Sequence, residues 1–216
     1  MSEYSKVTGG SNANNTLKED NEAIDYYVQD GYGINNILRQ DLPLDDTDKA
    51  FINELDSLTS GTVNFDELYR VQDLNVIFPE LNDFDMYDLK GHIIYGDNFY
   101  DKGAYSQSKK QKNEKLLNSV IGKEVYDKGY MSTTKSLDTA VHKAQETNTH
   151  GIDRAIVHLK NTKGAHGIDI SRVMDKKYDY DVPEKEVLLQ RKNKYKIDRI
   201  YAKDNMIHID VTMTKK

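Results

Sequence analysis

Helical periodicity gives way to strand alternation part-way along this chain, and that order restricts the fold more than any single residue. From Asn21, the residues Ala23, Ile24, Tyr27 and Val28 recur at three-to-four spacing, the apolar stripe of an amphipathic helix. Gly31, Tyr32 and Gly33 interrupt the stripe, and Ile34, Ile37 and Leu38 resume it. Leu42, Pro43 and Leu44 mark a break followed by N-cap candidates at Asp45 and Asp46; Ala50, Phe51, Leu55 and Leu58 then outline a further helix that Gly61 ends. Glu67 to Val71 reads as a strand. Residues 72–108 give mixed signals, with His92 to Tyr95 as a candidate strand before a turn at Gly96, Asp97 and Asn98, and Lys109 to Ser119 reads as a helix. After Gly122 short strands dominate: Tyr130–Thr134, Ala155–Leu159, Ile168–Ile170, Val187–Gln190, Tyr195–Ala202 and Met206–Met213, with one helix over Leu137 to Thr147. Helices first and many short strands afterwards imply an α+β protein built on an antiparallel sheet or sandwich. The polar stretch 1–20 reads as a flexible tail ahead of one domain over 21–216.

Within that frame one segment carries unusual chemistry. Pro183-Glu184-Lys185-Glu186-Val187-Leu188-Leu189 sets two carboxylates two residues apart at the head of an apolar run. On a strand, residues i and i+2 share a face, which would put the Cα atoms of Glu184 and Glu186 about 6.5–7 Å apart. Two readings of the pair stand: a solvated strand edge, or an acid pair for cleaving a glycosidic bond, one carboxylate facing a developing cation and the other handling the acceptor.

Composition removes other chemistries. The 216 residues contain no cysteine, so disulfides, thiol nucleophiles and cysteine-bound metals are excluded. The net charge is −6, which gives no global attraction to nucleic acid. The basic runs at Lys109-Lys110-Gln111-Lys112 and Arg191-Lys192-Asn193-Lys194 read as solvated surface charge. His142, His150, His158 and His166 lack the compact spacing of a metal site, and Gly164-Ala165-His166-Gly167 lacks the Gly-Lys-Ser/Thr ending of a phosphate-binding loop. No stretch has the apolar length of a membrane span, and the N-terminus has no apolar core of a secretory signal. The expectation is action in a cytosol, reached either by synthesis there or by non-classical export or injection.

Three motifs follow one another in order: Tyr69-Arg70 on a strand, Gly129-Tyr130-Met131-Ser132-Thr133-Thr134, and Glu184-Lys185-Glu186. Together they resemble the mono-ADP-ribosyltransferases of the arginine–serine–glutamate class, closest to the bacterial exoenzymes that include the enzymatic subunits of actin-modifying binary toxins. The opening helices (Ala23 to Tyr27 and Gly31 to Arg39) and the block Val120 to Thr134 are similar to that family as well, so the likeness runs from about residue 20 to the C-terminus. Val71 stands where the family usually has Gly, Thr134 where it usually has Ser, and the stretch between Arg70 and Ser132 is long, implying an insertion within 72–115.

The resemblance implies a sandwich of two packed antiparallel sheets with N-terminal helices, and consumption of NAD as co-substrate with no metal. Glu186 is implied as the catalytic carboxylate, oriented by Ser132. Arg70 is implied as the diphosphate clamp, with Ser132, Thr133, Thr134 and Glu186 also binding NAD. Glu184 is implied to select an arginine acceptor, and Tyr178 and Tyr180 to contact the target protein. The implied partner is a host protein, actin or another arginine-bearing target, with a separate delivery component as a further partner. This is the profile of a secreted toxin, an effector acting in virulence. A catalytically weak NAD-binding module and an NAD glycohydrolase of the same fold are the alternatives.

Overall fold

The computed structural model describes residues 14–101, 103–146, 154–178 and 183–214. Two helices open the chain, α1 (Glu22–Gln40) and α2 (Asp46–Leu58). Then come strand β1 (Glu67–Asp73), helices α3 (Asp83–Tyr95) and α4 (Ala104–Val120), and strands β2 (Glu124–Asp127) and β3 (Met131–Thr134). Helix α5 (Leu137–Glu146) precedes β4 (Arg154–Lys160) and β5 (Gly167–Asp169), helix α6 (Ser171–Lys177) precedes β6 (Glu186–Leu189), and β7 (Asn193–Lys203) and β8 (Met206–Met213) form a closing hairpin. The α+β expectation holds.

The strands hydrogen-bond in the order β2-β7-β8-β4-β1-β3-β6-β5. All neighbours are antiparallel except β4 and β8, which run parallel. Two limbs are evident in this run, because β1 meets β3 at a single residue pair, Tyr69 opposite Thr134, whereas β1 and β4 pair over seven residues from Glu67–Lys160 to Asp73–Arg154. One apolar core takes side chains from both limbs: Val157, Leu159, Ile209 and Val211 on one side, Met131, Val187 and Leu189 on the other, with Met86 and Leu89 of α3 and Val120 of α4. Strand alternation turns Tyr130 and Leu188 the opposite way, into a second core with Ile24, Tyr27 and Ile34 of α1, Ile52 and Leu55 of α2, and Val173 and Met174 of α6. Helix α5 covers the outer face of β1 and β4 through Ala140 and Ala144, against Val71 and Ile156.

Several local expectations are corrected. The interruption expected at Gly31 to Gly33 falls one residue earlier: the backbone of α1 leaves the helical conformation at Asp30 (φ −135°, ψ 29°), so that two helical segments meet at a kink there. His92 to Tyr95 is the end of α3, not a strand. Asn82 caps that helix by accepting from the Asp85 N–H at 2.9 Å, and the mid-helix Gly91 persists because a Cβ there would sit 2.2 Å from the Phe99 ring. The segment 72–115, read as an insertion, supplies α3 and most of α4. The expected tail is anchored at its described end: Asn15 and Leu17 exchange backbone hydrogen bonds with Asp169 at 2.7 and 2.9 Å, and Leu17 is buried. Asp45 caps α2 as expected, in a reciprocal capping box with Asp48.

Tyr130 ties the site-bearing β3 to the helical layer. Its hydroxyl donates to Asp56 at 2.7 Å and lies 3.1 Å from the Ile52 carbonyl, and its N–H donates to Asn35 Oδ1 at 2.7 Å. Gly129 is required for this approach, since a Cβ would stand 2.6 Å from Asn35 Oδ1. Tyr130→Phe keeps the ring but strands the Asp56 contact, and a loss of about 1 kcal/mol in urea unfolding is expected.

Candidate active site

Where β1 and β3 part after their single contact, the sheet opens into a cleft. Its cavity of about 130 Å³ is lined by Tyr69, Arg70 and Val71 from β1, Ser132, Thr133 and Thr134 from β3, Ala140 and Lys143 from α5, and Glu184 and Glu186. That volume is comparable with cavities that admit a single aromatic ring. Arg70, Ser132, Glu184 and Glu186 therefore meet at one place, although 116 positions separate the first from the last in the numbering.

The two carboxylates come together in a way that strand alternation does not describe. β6 begins at Glu186, and Lys185 adopts a left-handed conformation (φ 48°), so Glu184 lies on a turn before the strand. The turn is braced from two helices. Asp175 of α6 accepts from the Glu184 and Lys185 N–H groups at 3.0 and 3.3 Å, and Thr139 of α5 donates to the Pro183 carbonyl at 3.2 Å. Lys143 of α5 forms a 2.7 Å ion pair with Glu184. These contacts offset a left-handed residue that has a Cβ.

Glu186 is buried, at 7% exposure. Burial, and after it the like charge of Glu184, push its carboxyl up to about 7; the Lys143 charge and a Ser132 hydrogen bond pull the other way. Ser132 Oγ also lies 3.3 Å from the Tyr27 hydroxyl, which accepts from Asn35 Nδ2 at 3.0 Å. The Asn35 amide is itself oriented by the Tyr130 N–H, so a chain of hydrogen bonds runs from the backbone of β3 through α1 to the hydroxyl beside Glu186. Burial raises the Tyr27 phenol above its ordinary value, so it stays neutral.

Arg70 is nearly enclosed, its side chain 13% exposed. Its Nη1 is buried with no hydrogen-bond partner and lies 3.7 Å from Asp127 Oδ2. Asp127 is already held by Arg39, which donates from Nε at 2.9 Å and Nη2 at 3.0 Å, and by the Gly129 N–H at 2.9 Å. A buried guanidinium with an unmet donor at a cleft fits an anionic oxygen supplied by a ligand.

Of the other sequence candidates, Thr133 and Thr134 also line the cavity. Thr133 Oγ1 donates to the Val187 carbonyl at 2.6 Å, and Thr134 Oγ1 accepts from the Ser136 N–H at 3.2 Å, so both hydroxyls brace β3 and its exit. Tyr178 is half-buried against the helical core and is not part of the cavity lining. Tyr180 lies outside the described residues. Among the described residues no group of three or more His, Asp or Glu side chains is arranged to hold a metal ion, and no helix is long and apolar enough to cross a membrane.

The profile of the family described as ADP-ribosyltransferase exoenzyme matches residues 6–216. The chain belongs to that family. It is thus a mono-ADP-ribosyltransferase with NAD as the ADP-ribose donor, of the bacterial toxin kind. Solved ADP-ribosyltransferase structures share its fold. C3stau2 from S. aureus, determined with NAD, is 24% identical with a TM-score of 0.61, covering 90% of this chain and 85% of that one. C3larvin toxin from Paenibacillus larvae is 22% identical with a TM-score of 0.60, covering 90% and 86%. The enzymatic component C2-I of the Clostridium botulinum C2-toxin is 23% identical with a TM-score of 0.56, covering 89% of this chain and 42% of that one. No curated protein matches the sequence.

The ADP-ribosyltransferase site contains residues that the sequence did not single out: Tyr27, Asn35, Arg39, Asp127 and Lys143. Arg39 and Asp127 fall inside the segments that resemble the family, but their pairing across 88 positions leaves no local pattern. Tyr27 sits on the apolar stripe of α1 and reads as core, and both it and the polar Asn35 are buried. Lys143 reads as one more surface charge on an amphipathic helix.

Proposed function

We propose that this ADP-ribosyltransferase transfers ADP-ribose from NAD to an arginine side chain of a host protein, with release of nicotinamide. Support comes above all from the meeting of Arg70, Ser132, Glu184 and Glu186 around one cleft. In the reaction the bond between ribose C1′ and the nicotinamide nitrogen breaks, and its electron pair leaves on nicotinamide. Positive charge develops on the ribose ring. The ionised Glu186, fixed beside Ser132, stabilises that charge and holds a ribose hydroxyl, without the reorganisation that water would need. A guanidine nitrogen of the acceptor forms the new bond to C1′ and yields a proton to Glu184, whose two oxygens match a guanidinium. Arg70, which lines the cleft, grips the diphosphate through its guanidinium.

The target is a protein presented at the mouth of the cleft; actin is one arginine-bearing candidate. Tyr178 and Tyr180 are assigned to the segment that meets it. Activity in a cytosol, delivery by a separate component and a role in virulence belong to the same proposal. Incubation with labelled NAD and a host lysate, followed by mass spectrometry, is expected to show ADP-ribose on arginine. Label on another residue type would reject the acceptor assignment, and nicotinamide release with no labelled protein would indicate a glycohydrolase. Arg70→Lys retains the charge but not the two-pronged grip, so NAD affinity is expected to fall about tenfold by calorimetric titration. Unchanged affinity would remove Arg70 from the clamp.

A further inference from the structure

Glu184, the carboxylate proposed to receive the acceptor guanidinium, is already engaged by a cation of this chain. Lys143 Nζ lies 2.7 Å from Glu184 Oε1. Both residues line the cavity with Glu186. The ammonium is held from a fixed platform: Ala140 and Ala144 of α5 are buried against Ile156 of β4, and Thr139 of the same helix donates to the Pro183 carbonyl at 3.2 Å, next to Glu184. At the same time the Lys143 side chain is 41% exposed, whereas that of Glu184 is 17% exposed. The anion is sheltered and its counter-ion reaches it from the solvent side. A solvent-reaching ion pair is weak and is readily exchanged for a better-matched cation.

The geometry points to Lys143 as a placeholder for the acceptor, an ammonium that occupies Glu184 until an incoming guanidinium displaces it. The inference rests on the acceptor role proposed for Glu184. A lysine is suited to the task because its ammonium is a compact point charge, while a guanidinium presents two parallel donors to both carboxylate oxygens. An arginine acceptor outcompetes Lys143 through that second bond; a lysine side chain, an amine or a metal cation gains nothing over it. Lys143 therefore acts as a specificity residue, raising the threshold for weak acceptors and keeping Glu184 aimed before the target arrives.

The same ammonium acts on Glu186. Facing that carboxyl are Glu184 on its own segment, Lys143 on α5, Tyr27 on α1, Ser132 and Thr134 on β3, and Arg70 across the cavity on β1. Glu184 and burial favour the protonated form, and Lys143 favours the ionised one. An arginine acceptor that takes the place of Lys143 restores the positive charge it displaces, so Glu186 stays ionised through the exchange.

The test uses the full chain, NAD and the small guanidine agmatine as acceptor, over a pH series, with Lys143→Gln and Lys143→Arg. Lys143→Gln is expected to lower the KM for agmatine about threefold, since no ammonium has to be displaced. It is also expected to move the acid limb of acceptor-free NAD cleavage upward by about one pH unit, because the ionised form of Glu186 loses a cation that favours it. Saturating agmatine should bring that limb back, and Lys143→Arg, which keeps the charge, should leave it in place. An unchanged KM together with an unchanged limb in an active Lys143→Gln enzyme overturns the inference. A wild-type protein that neither cleaves NAD nor labels agmatine overturns the arginine-transfer reading instead, and the placeholder with it. Should Lys143→Gln fail to fold, Lys143→Met keeps the apolar stem without the charge and carries the same test.

Discussion

Glu186→Gln is expected to abolish ADP-ribose transfer and to make the protein more stable at pH 8. The catalytic loss follows from the role proposed for the carboxylate. A neutral amide cannot oppose the charge on the ribose ring, and losing a fixed electrostatic partner of this kind lowers kcat by on the order of 10²–10³-fold. The gain in stability follows from the burial of the same group. The carboxyl titrates from an ordinary value of 4.5 in the unfolded chain to about 7 in the folded protein. Between those two values the folded state carries a proton that the unfolded state has released, so stability falls as pH rises through this window. Above it the buried ionised carboxylate costs about 3 kcal/mol relative to an unperturbed group. Glutamine does not ionise and escapes the whole of that cost, and its N–H₂ group has Glu184 as an acceptor. Urea unfolding of both proteins at pH 8 and at pH 4.5 separates the contributions: the variant should be more stable at pH 8, and the difference should vanish at pH 4.5. An equal difference at both values would trace the effect to packing and deny Glu186 its raised carboxyl. The expected result is the ordinary conflict between activity and stability, located in one side chain.

How far the chain could be read without coordinates depended on the range of the interaction that fixes each element. β3, β4, β7 and β8 were legible because short runs rich in β-branched and apolar residues between turn signals are a property of neighbours in sequence, although β4 and β8 are buried almost throughout rather than on alternate residues. The capping box at Asp45 and Asp48 is equally local. α3 was not legible, because His92, Ile93, Ile94 and Tyr95 make an apolar run with no helical stripe, and the packing of Phe99 onto Gly91 decides the matter from outside the segment. The two-limbed sheet was foreseeable in outline, but its join at Tyr69 and Thr134 and the parallel pairing of β4 with β8 were not, since both are set by tertiary closure. The Glu184–Glu186 pair shows the difference most sharply. Spacing indicated that the two carboxylates lie side by side, and they do line one cavity, but the left-handed Lys185 produces that arrangement, braced by Asp175 from another helix. Lysine carries no signal for such a conformation. Arg70 was placed by its motif; the carboxylate that accompanies it, Asp127, had none.

Asp127→Ala is the substitution expected to be most damaging among these unforeseen positions. Asp127 accepts from Arg39 at 2.9 and 3.0 Å and from the Gly129 N–H at 2.9 Å, and it is the carboxylate nearest the enclosed Arg70, at 3.7 Å. Its own side chain is 10% exposed. Removing it leaves two guanidinium groups, one nearly buried, without their shared counter-charge, and frees the N–H of the residue that allows β3 to approach α1. Loss of one partner of a buried ion pair costs about 3–5 kcal/mol, because the remaining charge stays desolvated and unpaired. For a chain of this size that corresponds to a fall in Tm of roughly 10 °C. NAD should restore part of the loss. Its diphosphate is the anion proposed to sit on Arg70, so in the variant it supplies charge that the protein no longer provides, and the rise in Tm on adding saturating NAD should be larger for Asp127→Ala than for the wild type. Asp127→Asn, which retains an acceptor for the Gly129 N–H without the charge, should fall between the two. Thermal melts with and without NAD decide the point: an NAD-induced shift that is the same in all three proteins would mean that the diphosphate does not reach the guanidinium that Asp127 accompanies, and that the clamp lies elsewhere.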